Sequence, residues 1–272
     1  MRIFKASTAL AIALLAVPSW AAFEDLEVGV PIQAMGGTGV VGTGLASVMF
    51  NPAGLAWQEA PSVIAGTRLP FTDMDFSTHG LDGAMPLYGM TTAASLRYFG
   101  SDLYNEQVLA LTAATRLTED MAFGIQPMVA MVDISDGVSS YGSASAISWN
   151  MGFQVQVYPR WMLAASVRNP FQARLGESSD YLRRRMDGGI RYEPAEGLAS
   201  RVAVSQDFRG TRILVGQSMP LGPVVLRAGA MSDPASLTSG LTVDVGGMEV
   251  DYGIQTHPEL APSHQAGVRY AF

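Results

Sequence analysis

The stretch of sequence that decides the fold is residues 241–272, LTVDVGGMEVDYGIQTHPELAPSHQAGVRYAF. Apolar and polar residues alternate on both sides of Gly246-Gly247, and they alternate again as the stretch approaches Phe272. A period of two places the two sets on opposite faces of a β-sheet. The glycine pair suits a two-residue hairpin, because glycine adopts positive φ without a Cβ clash. The stretch therefore predicts a β-hairpin followed by one further strand.

The same alternation recurs in the middle of the chain. One face of residues 147–157 carries Ile147, Trp149, Met151, Phe153, Val155 and Val157. The opposite face carries Ser148, Asn150, Gln154 and Gln156. This pattern is expected of a membrane barrel with an apolar exterior and a polar lumen. A soluble β-sandwich with an apolar core gives the same alternation.

The connections between the strands fall into two kinds. Short reversals are predicted at residues 85–86, 118–120, 159–160, 194–197, 221–223 and 246–247. Longer connections are predicted at 100–106, 133–143, 169–184, 232–239 and 256–263, with tight exceptions at 71–73 and 209–210. Outer-membrane barrels have short periplasmic turns and longer outer loops. The predicted strands number 14, an even number that places both ends of the strand array on the periplasmic side.

The N-terminus has the three parts of a secretory signal peptide. Arg2 and Lys5 supply the positive charge, residues 9–17 form the apolar run, and residues 19–21 give a small-x-small cleavage site. We expect cleavage after Ala21, with Ala22 as the alternative. A membrane anchor would need about 20 apolar residues, and this run is shorter.

Composition limits the class of protein further. The mean hydropathy is +0.20 and 15% of the residues are charged, an apolar balance for a water-soluble protein. Without Arg2 and Lys5, 15 arginines face 24 acidic residues, which argues against a nucleic acid partner. The absence of cysteine excludes disulfides and thiolate metal sites. With the signal peptide and the turn pattern, this balance favours the membrane barrel over the sandwich.

Residues 22–60 differ from the rest of the chain and contain a glycine-rich stretch. Gly37, Gly39 and Gly42 spell G-x-G-x-x-G. A dinucleotide site would require a preceding strand and a following helix, and Asn51-Pro52 interrupts any helix that starts here. A flexible connector is the plain alternative.

A third interpretation comes from a resemblance. The order of a glycine-rich segment, a short stretch of small residues and Asn-Pro-Ala-Gly-Leu resembles the N-terminal region of FadL-like outer-membrane proteins. The matching positions are Gly36, Gly37, Asn51, Pro52, Ala53 and Gly54. That superfamily includes the long-chain fatty acid transporters and the PorV-type proteins of type IX secretion. The end of the chain, with Tyr270 and a terminal Phe272, similarly resembles the closing strand of such barrels.

The resemblance implies an all-β fold, a 14-stranded antiparallel transmembrane β-barrel over residues 61–272. Residues 1–21 are then the signal peptide, and residues 22–60 are a hatch in the lumen. Proline fixes φ and asparagine caps a turn, so the motif suits a chain reversal in a narrow interior. The departure from the superfamily is size, because the outer loops are shorter than those of its members.

The function that the resemblance implies is passive uptake of small hydrophobic or amphipathic molecules across the outer membrane. The expected contacts are outer-membrane lipid, lipopolysaccharide and a lipophilic ligand, with no cofactor and no catalytic role. The alternative is a PorV-type secretion or assembly component, or a structural protein, that binds protein partners.

Two groups of charged residues are candidates for function. The strand periods place Arg227, Asp244, Glu249, Asp251 and Arg269 on the lumen face. They either pair across strands and hold the hatch, or take part in transport. Arg183, Arg184 and Arg185 follow a long outer connection. They either attract the carboxylate or phosphate head of an amphiphile or of lipopolysaccharide, or form a solvated loop edge.

The histidines carry no recognisable metal or catalytic motif. His79, His257 and His264 lack the helical spacing of a zinc site, and no cysteine joins them. Ser263-His264 is the only Ser-His adjacency, and both residues are expected to face a loop or the wall. We therefore predict neither a metal site nor a catalytic triad.

Overall fold

The computed structural model describes residues 22–23, 26–135, 140–177 and 180–272, so the predicted signal peptide lies outside the described residues. In the described chain, strands β1 to β14 close into one barrel. Their bounds are Ser62–Leu69, Thr78–Leu87, Met90–Gly100, Tyr104–Arg116, Met121–Ser135, Ser140–Tyr158, Trp161–Arg168, Arg185–Ala195, Leu198–Asp207, Gly210–Leu221, Val224–Ser232, Ala235–Val245, Met248–Gln255 and Ser263–Ala271.

Every strand pairs antiparallel with its neighbours in sequence, and β14 pairs back onto β1. This last ladder runs from Ser62 opposite Ala271 to Leu69 opposite His264. Closure removes the exposed edges that an open sheet would present. The predicted 14-stranded antiparallel barrel is confirmed, together with its hairpin around Gly246-Gly247 and its closing strand.

The barrel wall has an apolar exterior. On β4, Leu109 and Leu111 are 43% and 58% exposed on the outside, whereas Ala110 and Thr112 are buried on the inside. The two predicted faces of β6 lie as expected, with Trp149 outside and Asn150 inside. An apolar outer face alternating with an inner polar one is the arrangement of a barrel that sits in lipid.

Several predicted connections are wrong in position or length, and the tight reversal expected at residues 71–73 is the eight-residue connection 70–77 between β1 and β2. The reversal expected at residues 85–86 lies instead at Tyr88-Gly89, because β2 and β3 stay paired as far as Leu87 opposite Met90. Gly89 has φ of 86°, which a glycine adopts without strain. The long connection expected at 232–239 is only the two residues 233–234, because Ser232 is already paired with Ala235.

The interior is filled by residues 26–60, which we call the N-terminal segment. It contains helix α1 (Val30–Gln33) and three 3₁₀ turns, Gly39–Val41, Leu45–Ser47 and Pro52–Trp57. Its side chains form the core with small wall residues such as Ala110 and Ala122. Among the described residues, no helix has the length and apolar character needed to cross a membrane.

Candidate functional site

Asn51 anchors the N-terminal segment against the inner wall of the barrel. Its side chain is fully buried. The amide nitrogen donates to the carbonyl of Val40 at 2.7 Å, and Oδ1 accepts from the backbone N–H of Ala53 at 3.0 Å. Pro52 opens the following 3₁₀ turn, where its missing N–H costs nothing. The Asn-Pro-Ala motif therefore forms a capped 3₁₀ turn.

Wall glycines provide the space for this turn. A Cβ on Gly152 would lie 1.8 Å from Asn51 Oδ1, and one on Gly124 would lie 2.4 Å from the carbonyl carbon of Pro52. Any larger residue at these wall positions would collide with the motif. Close packing of the segment against the wall therefore requires glycine at these two positions.

Polar residues of the wall hold the segment through its backbone. Gln154 Nε2 donates to the carbonyls of Val40 and Gly42, at 3.0 and 2.8 Å. Its Oε1 accepts from the indole N–H of Trp57 at 2.8 Å. On the neighbouring strand, Gln126 Nε2 donates to the carbonyl of Val48 at 3.1 Å. Buried polar groups require such partners, so these wall residues also fix the position of the segment.

The glycines of the motif make tight backbone contacts. Gly36 and Gly37 have φ of 66° and 73°. The Gly36 N–H donates to Thr238 Oγ1 at 2.9 Å, and a Cβ on Gly36 would lie 2.5 Å from the carbonyl oxygen of Val215. A Cβ on Gly54 would lie 2.2 Å from Ser47 Oγ. All of the predicted motif residues thus lie inside the barrel.

A cavity of about 100 Å³, the loop-end cavity, lies at the end of the barrel that carries the longer connections. Its apolar lining includes Phe23, Leu26, Met49, Val108, Met128 and Leu182. Its charged lining includes Glu27, Arg168, Arg183, Arg184 and Arg185. The structure therefore brings the three predicted loop arginines to one cavity.

These three arginines differ in their surroundings. Arg185 Nη1 lies 3.2 Å from Glu27 Oε1, and its Nε lies 2.8 Å from Asp187 Oδ1. Arg183 stacks over the ring of Phe208, with its guanidinium carbon 5.3 Å from the ring centroid. Arg184 is exposed. Arg185 thus has the paired, half-buried character of a structural residue, whereas Arg184 reaches the solvent.

Glu27 joins the N-terminal segment to the wall at this cavity. It forms ion pairs with Arg168 and Arg185. Burial alone would raise the pKa of the Glu27 carboxyl, but the charges of Arg168 and Arg185 outweigh it and lower the pKa to about 2. The carboxylate is therefore ionised at any ordinary pH and holds the start of the segment against β7 and β8.

A second cavity, of about 380 Å³, lies at the end with the short turns, and we call it the turn-end cavity. Its charged lining is Arg191, Glu193, Arg201, Arg227, Glu249 and Arg269. Three of the five predicted lumen residues are in that lining. Arg269 pairs with Glu249, and Arg227 donates to Thr242 Oγ1.

The other two predicted lumen residues lie elsewhere. Asp251 is buried and accepts from Thr242 Oγ1. Asp244 is exposed at the β12–β13 turn, where its carboxylate accepts from the N–H of Gly247 at 2.9 Å. Asp244 therefore stabilises a turn at the rim and does not line the turn-end cavity.

Sequence reasoning missed several charged residues of the lumen. Glu27 has no sequence pattern that could reveal its partner, since Arg168 is 141 positions away. Asp82 and Arg97 form a buried pair with two contacts of 2.9 Å. Arg191 and Arg201 stand on lumen-facing positions, so a period-two reading of β8 and β9 would have found them.

The histidines take no part in a metal-binding cluster among the described residues. In that part of the chain, no group of three or more His, Asp or Glu side chains could hold a metal ion. His79 Nε2 lies 3.3 Å from Ser77 Oγ, and His264 Nδ1 lies 2.7 Å from the hydroxyl of Tyr252. In both of these contacts the partner of the histidine is a hydroxyl group.

The fold and the site define a closed β-barrel whose lumen is occupied by its own N-terminal segment, with a cavity at each end. No family model and no curated protein matches the sequence. Solved structures do match the fold.

The Ralstonia pickettii toluene transporter TbuX aligns with a TM-score of 0.67 at 12% identity, over 91% of this chain and 99% of its own. The P. putida toluene transporter TodX aligns with a TM-score of 0.67 at 13% identity, over the same shares of both chains. A Pseudomonas aeruginosa FadL homologue aligns with a TM-score of 0.59 at 10% identity, over 90% of this chain and 98% of its own. The chain therefore has the FadL-type barrel fold, and the predicted resemblance is confirmed at the level of the fold.

Proposed function

We propose that this protein resides in the outer membrane and takes up small hydrophobic or amphipathic molecules passively. The observation that carries the proposal is a partly apolar cavity at the loop end, separated from the turn-end cavity by the N-terminal segment. The similar structures include two toluene transporters, which supports the same class of cargo. The apolar exterior of the barrel supports the location.

The loop-end cavity sets the size of the cargo. A cavity of about 150 Å³ lined by apolar side chains binds benzene. The loop-end cavity, at about 100 Å³, is of that order and has Leu26, Met49 and Val108 in its wall. We propose that it receives a single aromatic ring or a short aliphatic chain, and that a long acyl chain is too large for it.

Passage between the two cavities requires movement of the N-terminal segment, and we propose that residues 22–60 act as a hatch. The segment fills the lumen between the cavities, with Leu45, Val48 and Leu55 almost completely buried. Its contacts with the wall are hydrogen bonds and van der Waals contacts rather than covalent bonds. Such contacts open and close without chemistry, so the uptake that we propose needs no cofactor and no energy source.

A second candidate function is the binding of a protein partner at the loop end, as in the PorV-type alternative. Phe171 and Tyr181, on the connection between β7 and β8, are 76% and 49% exposed. Exposed aromatic residues are enriched at protein interfaces. This surface would serve a partner that docks from outside the cell, whereas uptake uses the cavity below it.

Uptake of labelled toluene by Gram-negative cells tests the first proposal. Cells expressing the protein are compared with cells carrying an empty vector. The change in gel mobility on heating confirms that the barrel of each variant is folded. Met49→Trp places a larger side chain in the loop-end cavity, and Met74→Trp makes the same change at an exposed position of the same end. We expect faster uptake with the wild type and with Met74→Trp than with Met49→Trp. Equal uptake in all four strains would refute the proposal.

A further inference from the structure

The turn-end cavity contains two arginines placed directly opposite each other. Arg191 on β8 is the register partner of Arg201 on β9, and both side chains line the cavity. Like charges at directly opposite positions of neighbouring strands repel each other and destabilise the pair. An arrangement of this kind is stable when a negative charge sits between the two groups.

The protein partners of this pair leave most of its hydrogen-bonding capacity unused. Arg191 donates from Nη1 to Thr43 Oγ1 at 3.2 Å and pairs through Nε with Glu193 at 3.4 Å. In the part of the chain that the structure describes, Arg201 Nε and Nη1 are buried without a hydrogen-bond partner. A buried guanidinium without a partner is costly.

Elsewhere in the lumen the chain supplies a partner for a buried arginine. Both terminal nitrogens of Arg97 donate to the carboxylate of Asp82 at 2.9 Å. This fork-to-fork geometry is the usual partner of a buried guanidinium. Arg201 has no such carboxylate among the described residues.

The charge balance of the cavity lining points in the same direction. Four arginines line it, Arg191, Arg201, Arg227 and Arg269, against the two carboxylates of Glu193 and Glu249. Both carboxylates are engaged, since Glu193 also accepts from the N–H of Gly197 and Glu249 pairs with Arg269. The lining thus carries an excess of two positive charges.

The remainder of the lining is largely apolar. It includes Pro31, Ile32, Met35, Trp57, Met162 and Val225. A cavity that joins a cationic pair to apolar walls suits a molecule with a carboxylate at one end and an apolar body. Its volume of about 380 Å³ falls within the range of small-molecule sites, roughly 300 to 1,000 Å³.

We propose that the turn-end cavity binds the carboxylate of a compact amphipathic molecule between Arg191 and Arg201, with its apolar part against the apolar lining. The planar guanidinium matches a carboxylate with two parallel hydrogen bonds. The inference deepens the proposed function and rests on it for its biological meaning. Amphipathic acids that cross the hatch would meet this site on the side of release.

Binding of benzoate to the full-length mature barrel in detergent, measured by calorimetry, tests the site. Benzyl alcohol carries the same ring without the charge, and inorganic phosphate carries charge without the ring. Arg201→Gln removes the unpartnered guanidinium. Arg174→Gln, at the opposite end, is the matched control, because it makes the same change at an exposed arginine.

We expect benzoate to bind the wild type and Arg174→Gln alike, and Arg201→Gln at least about tenfold more weakly. Benzyl alcohol and phosphate should bind at least about tenfold more weakly than benzoate. Benzoate should also raise the unfolding temperature of the wild type but not of Arg201→Gln. If Arg201→Gln does not fold, Arg201→Lys is the second variant. It keeps the charge but lacks the two parallel N–H donors of the guanidinium, so it should also weaken benzoate binding.

Three results would overturn the inference: no benzoate binding to the wild type, equal binding by the Arg201 variants, or phosphate binding as tight as benzoate. Toluene uptake distinguishes failure of this inference from failure of the proposed function, because toluene has no carboxylate for the two arginines to bind. Arg201→Gln should take up toluene at the wild-type rate. Wild-type protein that binds benzoate through Arg201 but transports no toluene would retain the site and refute the uptake function.

Discussion

Replacement of Glu27 by glutamine should release the start of the N-terminal segment while leaving the barrel closed. Glu27 connects the segment to Arg168 and Arg185 through ion pairs, and the residue is only 5% exposed. Glu27→Gln keeps the shape but removes the charge. The two arginines then retain Asp187 as their nearby carboxylate, at 3.8 and 2.8 Å. The wall can therefore stay intact while the segment loses its ion pairs with it.

The free energy that Glu27 contributes to docking of the segment follows from the pKa of its carboxyl group. The surrounding arginines lower the Glu27 pKa from 4.5 to about 2, against the effect of burial. A shift of that size corresponds to about 3 kcal/mol, or roughly a hundredfold in the equilibrium between the docked and the released segment. Because the docked pKa is the lower one, the stabilisation is fully present above pH 4.5 and is lost as the pH falls towards 2.

Hydrogen exchange at pH 7 measures the release directly. The N–H groups of Gln33 and Ala34, which donate to Gly29 and Val30, report on helix α1. We expect their exchange to accelerate by roughly a hundredfold in Glu27→Gln, with the strand amides unchanged. Glu59→Gln removes the same charge from an exposed position of the same segment and should leave exchange as in the wild type. If Glu27→Gln exchanges like Glu59→Gln, the ion pairs do not hold the segment.

Three further changes probe the fit of the segment in the lumen. Gly152→Ala should destabilise the docked segment by about 1–3 kcal/mol, because its Cβ would meet Asn51, and hydrogen exchange of residues 45–57 measures this. Gly83→Ala, where an added Cβ meets nothing within 4 Å, is the control, and equal effects would contradict the predicted collision. Asn51→Ala removes the bonds to Val40 and Ala53 and should cost about 1–3 kcal/mol in thermal unfolding. An unchanged unfolding temperature would show that these bonds contribute nothing. Gln154→Leu, which leaves the indole of Trp57 and two carbonyls unpaired, should increase toluene uptake if the N-terminal segment is the proposed hatch, and slower uptake would contradict that proposal.

The sequence by itself determined the wall of the barrel. Alternation around Gly246-Gly247 and along residues 147–157 is a local property, because a period of two fixes the face of each side chain without reference to any distant residue. The turn chemistry of the glycine pair is local in the same way. The strand number and the closing strand could therefore be predicted. The turn at residues 85–86 was misplaced because pairing with β3 carries Pro86 into the strand.

The tertiary structure alone decided how the lumen is used. Glu27 meets Arg168 across 141 positions, and Gly36 meets Thr238 across 202, so no local pattern could connect them. A period of two marks a residue as facing inward, but not how high it lies in the barrel or which cavity it lines. That depends on the stagger of the closed sheet and on the path of the N-terminal segment through it. Arg191 and Arg201 face one cavity because of the stagger and the path together, so their shared cavity is apparent only in the folded chain.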